Sequence, residues 1–79
     1  MTVTLVKGNI IGKNIQQARV KAGMSQIELA AAMCVDYKIK MERATISHIE
    51  SEHRSVKDKE IFAFCELLGV SPNWLFEYK

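Results

Sequence analysis

The side chains in this chain best placed to do chemistry are concentrated in one short segment, residues 42–51, ERATISHIES. Ile46 and Ile49 give this segment a narrow apolar seam at helical spacing, and its other directions carry one arginine and short polar groups. A purely structural helix more often carries long Lys and Glu side chains outward. A helix with so small an apolar face must also be held by its neighbours. The outward face of this segment is therefore unusual for a helix with a purely structural role.

Metal binding and catalysis fit the sequence poorly. His48, His53 and the two cysteines, Cys34 and Cys65, do not have the spacing of a zinc site. Both cysteines lie on apolar helical stripes, which predicts reduced, buried thiols. Ser47 and His48 are neighbours on a helix and point apart, and no glycine-rich phosphate loop or nucleophile elbow is present. We therefore predict that the chain is not an enzyme and binds no metal or cofactor.

Length and composition narrow the class of protein. A chain of 79 residues predicts one domain with a small core, and a hydrophobic content of 48% argues against disorder. The net charge of +2 and the pI of 8.6 do not by themselves indicate a nucleic-acid binder, for which a pI above about 9 is typical, but they permit a local basic face. No run reaches the ~18 apolar residues of a membrane span, and Met1–Ile11 lacks the pattern of a signal peptide. A cytoplasmic location is expected.

Periodicity and capping residues predict an all-α chain of five short helices. Ser25 and Glu28 form a capping box at the start of the second helix, in which each residue satisfies a free backbone amide of the other. The other predicted caps and ends are Asn9, Gly23, Gly69 and Ser71-Pro72, with either Ser55 or Asp58 before the fourth helix. The predicted helices cover residues 10–22, 25–37, 42–51, 58–68 and 71–78.

Apolar stripes indicate which helical faces are buried. The stripes are Ile11, Ile15, Ala18 and Ala22 in the first helix, Ile27, Ala30, Cys34 and Tyr37 in the second, widened by Leu29 and Met33, and Ile61, Phe64, Cys65 and Leu68 in the fourth. Residues 1–9 form an arm that is a frayed terminus, a strand fragment or disordered; Lys7 alone supports a role in a DNA minor groove.

The segment between the second and third helices, residues 35–41, contains no glycine or proline to force a turn. Ile39 and Met41 alternate with Lys38 and Lys40. This alternation predicts an extended connector whose two apolar side chains dock on the core while the lysines face solvent.

Three fragments in order resemble the phage-repressor-like (Cro/XRE-type) helix-turn-helix family. They are Arg19-x3-Gly23-x-Ser25-Gln26-x2-Leu29-Ala30, then Ile46-Ser47-x-Ile49-Glu50, then Leu68-Gly69-Val70-Ser71 with Trp74-Leu75. Each fragment alone is a weak signal, but their order at near-family spacing over residues 10–78 is specific. The resemblance implies a compact five-helix lambda-repressor-like domain in residues 10–79, whose third helix enters the major groove of double-stranded DNA.

The resemblance also implies roles for individual residues. The side chains expected to contact bases are Gln26, Arg43, Ala44, Thr45, Ser47 and His48. Those expected to contact phosphates are Ser25, Lys38, Lys40, Arg54 and Lys57, each of which has an ordinary solvated side chain as its alternative. Arg19 resembles the family's first-helix arginine that pairs with the glutamate ending the third helix, here Glu50. Trp74, Phe76 and Tyr78 are too apolar for a short surface helix, so we expect them to share core packing with a homodimer interface.

The chain departs from the family pattern in two places. The joint between the two motif helices is several residues longer, and Cys34 stands near the place of the family's turn glycine. After Glu50, where the family often has Asn-Gly, this chain has Ser51-Glu52, and an acid there would lie near phosphate.

Three functions stay open from the sequence. The first is a sequence-specific transcriptional regulator, a repressor acting as a homodimer. The second is an antitoxin-like module that binds another protein through the same fold, with DNA binding secondary. The third is a helical structural domain with no role in nucleic-acid binding, which the modest net charge permits.

Overall fold

Five α-helices make up the fold in the computed structural model, which describes residues 8–77. They are α1 (Gly12–Lys21), α2 (Gln26–Tyr37), α3 (Arg43–Glu50), α4 (Asp58–Leu68) and α5 (Pro72–Leu75). Within residues 8–77 there is no strand, and the predicted all-α, five-helix class is confirmed. The predictions for residues 1–7 of the arm and for Tyr78 lie outside the described residues.

Most of the predicted helix ends are confirmed. Gly23 and Gly69 follow α1 and α4 with φ of +74° and +69°, a left-handed conformation that glycine adopts without strain. The Ser71 hydroxyl accepts a hydrogen bond from the Trp74 amide at 3.1 Å, and Pro72 is the first residue of α5. The helix boundaries therefore follow from local chemistry.

A single hydrophobic core lies between the helices. Its largest fully buried side chains are Ile11, Ile15, Leu29, Met33, Ile46, Ile49, Phe64 and Leu75. Every helix contributes to it, and α3, the shortest but one, contributes both of its isoleucines. Because α3 packs against α1 and α2, both isoleucines of its small apolar face are fully buried.

Two residues predicted to lie on buried stripes are exposed. Ile27 is 63% exposed because α2 turns Leu29 and Met33 toward the core, and Ile27 is about 160° around the helix from Leu29. Ala22 is exposed because α1 ends at Lys21, one residue before it. The buried face of α2 is therefore Leu29, Ala30 and Met33.

Three predicted boundaries were wrong in detail. Neither Ser55 nor Asp58 caps α4; Lys57 precedes the helix, and its amide donates to the Glu60 carboxylate at 2.9 Å. The first helix begins at Gly12 instead of Ile10. The last helix ends at Leu75, with Phe76 as its C-cap, instead of continuing to residue 78.

Candidate nucleic-acid interface

The helix pair α2–α3 begins with the predicted capping box. The Glu28 amide donates to the Ser25 hydroxyl at 3.0 Å, and the Ser25 amide donates to the Glu28 carboxylate at 2.8 Å. The hydrogen bonds from the Ser25 amide and hydroxyl lower the pKa of Glu28 below its usual value, so this carboxylate is charged at neutral pH. Ser25 is exposed at the start of α2, as the predicted phosphate contact requires, but its hydroxyl is already hydrogen-bonded to Glu28.

The joint between α2 and α3 begins only at Lys38. The helix passes through Cys34 and ends at Tyr37, and the left-handed turn falls on Lys38, with φ of 58° and ψ of 31°. Met41 is buried and Ile39 is half-buried against the core, whereas Lys38 and Lys40 are exposed. The predicted connector, two apolar anchors alternating with solvent-facing lysines, is therefore confirmed.

Cys34 holds the far end of this connector. The Met41 amide donates to the Cys34 sulfur at 3.4 Å, and that sulfur lies 3.6 Å from the Met41 carbonyl oxygen. The cysteine thus satisfies both backbone polar groups of the residue two positions before α3 begins. A glycine in place of Cys34 could not do so, because it has no side chain.

The outward face of α3 carries most of the residues predicted to contact bases. Arg43, Ala44 and His48 are exposed, and Thr45 and Ser47 are half-buried. The Thr45 hydroxyl accepts a hydrogen bond from the Glu42 amide at 3.3 Å, so it also helps to start the helix. These five side chains spread over the surface of α3 that its buried isoleucines leave free. Ala44, Ser47 and His48 lie opposite the isoleucines, and Arg43 and Thr45 lie at the two edges of this surface.

Behind α3, one buried carboxylate joins three elements. Arg19 of α1 donates to Glu50 through Nε at 2.6 Å and through a terminal nitrogen at 3.2 Å. Gln26 of α2 donates to the same carboxylate at 3.0 Å, and Arg19 also donates to the Met24 carbonyl at 2.8 Å. The Glu50 side chain is only 3% exposed, so this pair is shielded from solvent and fixes the angle of α3 against α1 and α2.

The predicted phosphate contacts divide into two groups. Lys38, Lys40 and Lys57 are exposed. Arg54, by contrast, points both terminal nitrogens at Glu60, each at 3.0 Å, and one of them also donates to the Ser55 carbonyl. Its guanidinium therefore joins the loop after α3 to α4 through these hydrogen bonds.

The Arg54–Glu60 pair affects the titration of both groups. Burial raises the pKa of Glu60, but the hydrogen bonds from Arg54 and from the Lys57 amide outweigh it, so that pKa is lowered below its ordinary value. The hydrogen bond to Glu60 likewise raises the pKa of Arg54. Both groups are charged over the whole neutral range.

Two asparagines important to the site were missed or only partly understood from sequence. Asn14 is 7% exposed and donates to the Leu75 and Glu77 carbonyls at 2.9 and 2.8 Å, which ties α1 to the end of α5. Asn14 lies three residues after Ile11, on the apolar stripe of α1, and a polar residue in that position could have indicated a buried hydrogen bond. Asn9 was predicted as the cap of α1, but the N-cap residue is Ile11. The Asn9 side chain accepts from the Ile11 and Gly12 amides and donates to the carbonyl of Ile49, in the last turn of α3, and to that of Arg54, in the loop beyond it.

At the C-terminal end of the chain, α5 combines packing with exposure. Trp74 is half-buried, and Phe76 is 49% exposed. An open groove beside Trp74 is lined by Val20, which is 62% exposed, and Lys21.

Metal binding and membrane insertion have no support within residues 8–77. In this range no three His, Cys, Asp or Glu side chains lie close enough together to hold a metal ion. No helix described here has the length and apolar character needed to cross a membrane.

The two-helix unit, backed by three further helices and presenting a polar face on its second helix, is the arrangement of a helix-turn-helix DNA-binding protein. A helix-turn-helix family model matches residues 15–75, which is more than half of the chain. The chain belongs to this family, of the Cro/C1 or XRE type, and is a DNA-binding regulator of the helix-turn-helix class. Searches of curated proteins and of solved structures gave no match.

Proposed function

We propose that the protein is a sequence-specific transcriptional repressor that inserts α3 into the major groove and acts as a cytoplasmic homodimer without a cofactor. The observation that carries the proposal is the outward face of α3, with Arg43 and His48 exposed on a helix fixed from behind by Glu50. Sequence-selective readout needs donors and acceptors held in a defined place, and this arrangement supplies them.

Within this proposal, base contacts come from both helices of the motif. Arg43 at the start of α3 suits a bidentate contact with guanine O6 and N7. Gln26 uses one amide N–H on Glu50, which leaves its second N–H and its carbonyl for a base or a phosphate. Thr45, Ser47 and His48 complete the set, with Ala44 limited to apolar contact.

Phosphate contacts are proposed for the exposed lysines on either side of α3. Lys38 and Lys40 lie before the helix and Lys57 lies after it, so all three add salt-dependent affinity without sequence information. Ser25 contributes through its hydroxyl at the start of α2. Arg54 fits this role least well because Glu60 already takes its guanidinium.

The experiment is an in vitro selection from randomised duplex DNA, followed by titration of the selected site. Arg43→Ala should cost about 1–3 kcal/mol of binding free energy and relax the preference at one base pair. Lys59→Ala, which removes an exposed lysine from α4, is the matched control and should leave the preference unchanged. Recovery of no enriched sequence by the native protein would contradict the proposal.

A second candidate, an antitoxin-like protein-interaction module, is favoured by exposed apolar side chains away from α3. Phe62 on α4 is 60% exposed and packs edge-to-face against Tyr37 on α2, with ring centroids 6.2 Å apart. Val35, also on α2, is 73% exposed. Co-purification of one specific protein with the native chain but not with Phe62→Asp, at unchanged DNA affinity, would support this candidate.

A further inference from the structure

Asn9 lies between α1 and the end of α3, and its side chain uses every hydrogen-bonding position it has. Its carbonyl oxygen accepts from the Ile11 and Gly12 amides at 3.0 and 2.7 Å. Its amide nitrogen donates to the Ile49 carbonyl at 3.0 Å and to the Arg54 carbonyl at 2.7 Å. Two acceptor and two donor bonds are the full capacity of this side chain.

The orientation of the Asn9 amide follows from its partners. Two backbone N–H groups face one end and two backbone carbonyls face the other, so the reversed orientation would place donor against donor and acceptor against acceptor. The two ends of the amide therefore bind different elements. The oxygen accepts hydrogen bonds from backbone amides at the start of α1, and the nitrogen donates to the last turn of α3 and to the loop beyond it.

The backbone around Asn9 is also fitted closely to α3. A Cβ on Gly12 would lie 2.2 Å from the Ile49 carbonyl oxygen and 3.0 Å from that of Glu50. The Gly8 amide donates to the Glu52 carbonyl at 2.9 Å. The start of α1 thus lies against the carbonyl end of α3 with no space between them.

We propose that Asn9 is a positioning residue for DNA recognition, which sets the place of the α3 C-terminus through its amide nitrogen. This inference rests on the proposed function, in which α3 reads bases. Glu50 fixes α3 toward α1 and α2. Asn9 holds the carbonyls of Ile49 and Arg54 against the start of α1.

Such a role affects specific and non-specific binding unequally. Hydrogen bonds to base edges depend on position and angle, whereas lysine–phosphate attraction tolerates a small displacement. A shift of α3 therefore weakens binding to the selected site and leaves binding to unrelated DNA nearly unchanged. A residue that merely stabilised the fold would not change the ratio of the two affinities.

The experiment separates the two ends of the side chain. Asn9→Asp keeps an oxygen for the Ile11 and Gly12 amides but has no N–H for the Ile49 and Arg54 carbonyls. Asn9→Ala loses both functions and adds no charge. Each variant is titrated with the site selected by the native protein and with unrelated duplex DNA, after urea unfolding has shown the range in which it is folded.

We expect Asn9→Asp to reduce the ratio of specific to non-specific affinity on the order of tenfold, as for a misplaced base contact. Asn9→Ala should reduce the ratio similarly, without the repulsion between a carboxylate and the Ile49 and Arg54 carbonyls. Amide hydrogen exchange should be faster at Glu52 and His53 in both variants and unchanged in the middle of α4.

The outcomes distinguish this inference from the proposed function. Failure of the native protein to select any sequence overturns the proposed function. Selection by the native protein with an unchanged ratio in Asn9→Asp overturns the positioning role of Asn9. An equal loss of both affinities also overturns it, because the added negative charge alone would then account for the change.

Discussion

At the scale of single residues, Lys38 carries a conformation that its type does not favour. Its φ of 58° is left-handed, which costs a residue with a Cβ about 1–2 kcal/mol relative to the right-handed form, whereas glycine adopts it readily. Lys38→Gly should therefore raise the free energy of unfolding by about 0.5–1 kcal/mol, since greater freedom in the unfolded chain offsets part of the gain. Urea unfolding measures this change.

The same substitution should weaken DNA binding while it stabilises the fold. If Lys38 contacts a phosphate, its loss lowers the dependence of log affinity on log salt by about one unit. Lys40→Gly is the matched control: Lys40 is exposed, outside the helices and not left-handed, so glycine there should not stabilise the fold. A fall in stability for Lys38→Gly would contradict the argument from its backbone conformation.

The Arg54–Glu60 pair predicts a loss of stability in acid. The pKa of Glu60 is lowered in the folded state, so the stability it contributes is present above the unfolded pKa of about 4.3 and is lost as pH falls through the folded value. Glu60→Gln should cost about 1–2 kcal/mol at pH 7 and flatten the decline in stability below pH 5. Urea unfolding at several pH values between 7 and 3 checks this.

Glu66 provides the control for that experiment. It lies on the same helix as Glu60 but is exposed. Glu66→Gln should leave both the stability at pH 7 and its decline in acid close to those of the native protein. Equal behaviour of the two variants would show that the loss in acid comes from other groups.

At the scale of elements, the joint between α2 and α3 depends on a sulfur. Cys34 is the partner of both backbone polar groups of Met41, and Met41 is 5% exposed. Cys34→Ala should therefore leave the Met41 amide without this partner and cost about 1–2 kcal/mol. Amide hydrogen exchange at Met41 should accelerate more than at Leu29, which lies in the middle of α2.

Cys34→Ser is the matched variant, because a hydroxyl can still accept from the Met41 amide and donate to its carbonyl. Its stability should fall between those of the native protein and Cys34→Ala. If all three proteins exchange the Met41 amide at the same rate, the connector is held by the burial of Met41 alone.

The helix boundaries were predictable where residue type and local geometry agree. Ser25 with Glu28, Gly23, Gly69 and Ser71 with Pro72 each act within four residues of themselves, so the sequence contains the whole interaction. The outward face of α3 was predictable for the same reason, since the positions of Ile46 and Ile49 define the opposite direction.

Features that join distant parts of the chain were not predictable from residue type alone. The resemblance suggested that Arg19 and Glu50 meet, but nothing local placed Gln26 on the same carboxylate or committed Arg54 to Glu60. The exposure of Ile27 was also missed, because both faces of α2 carry apolar residues and only packing decides between them. At Lys38 and Glu52 the backbone is left-handed without glycine, so the usual signal is absent.

At the scale of the whole molecule, the other helices act as a frame for α3. Its start is held through Met41 by Cys34, its inner side through Glu50 by Arg19, and its end by Asn9. The frame continues to α5 and the residues after it, since Asn14 donates to the carbonyls of Leu75, which ends α5, and of Glu77. The position of α5 is therefore linked to α1, so an interface built on α5 would hold two copies of α3 in a defined relation.

This arrangement predicts that Phe76 contributes to dimerisation and Phe62 does not. Phe76 is 49% exposed beside Trp74, and Phe62 is 60% exposed on α4, so Phe76→Asp and Phe62→Asp add the same charge at similar exposure. Phe76→Asp should weaken self-association on the order of tenfold or more, since a buried aromatic anchor at an interface is replaced by a charge. Sedimentation equilibrium measures this directly.

On DNA, the Phe76 variant should bind a single half-site like the native protein but lose the added affinity for two half-sites ~34–36 Å apart. A stronger effect of Phe62→Asp would instead place the interface on α4.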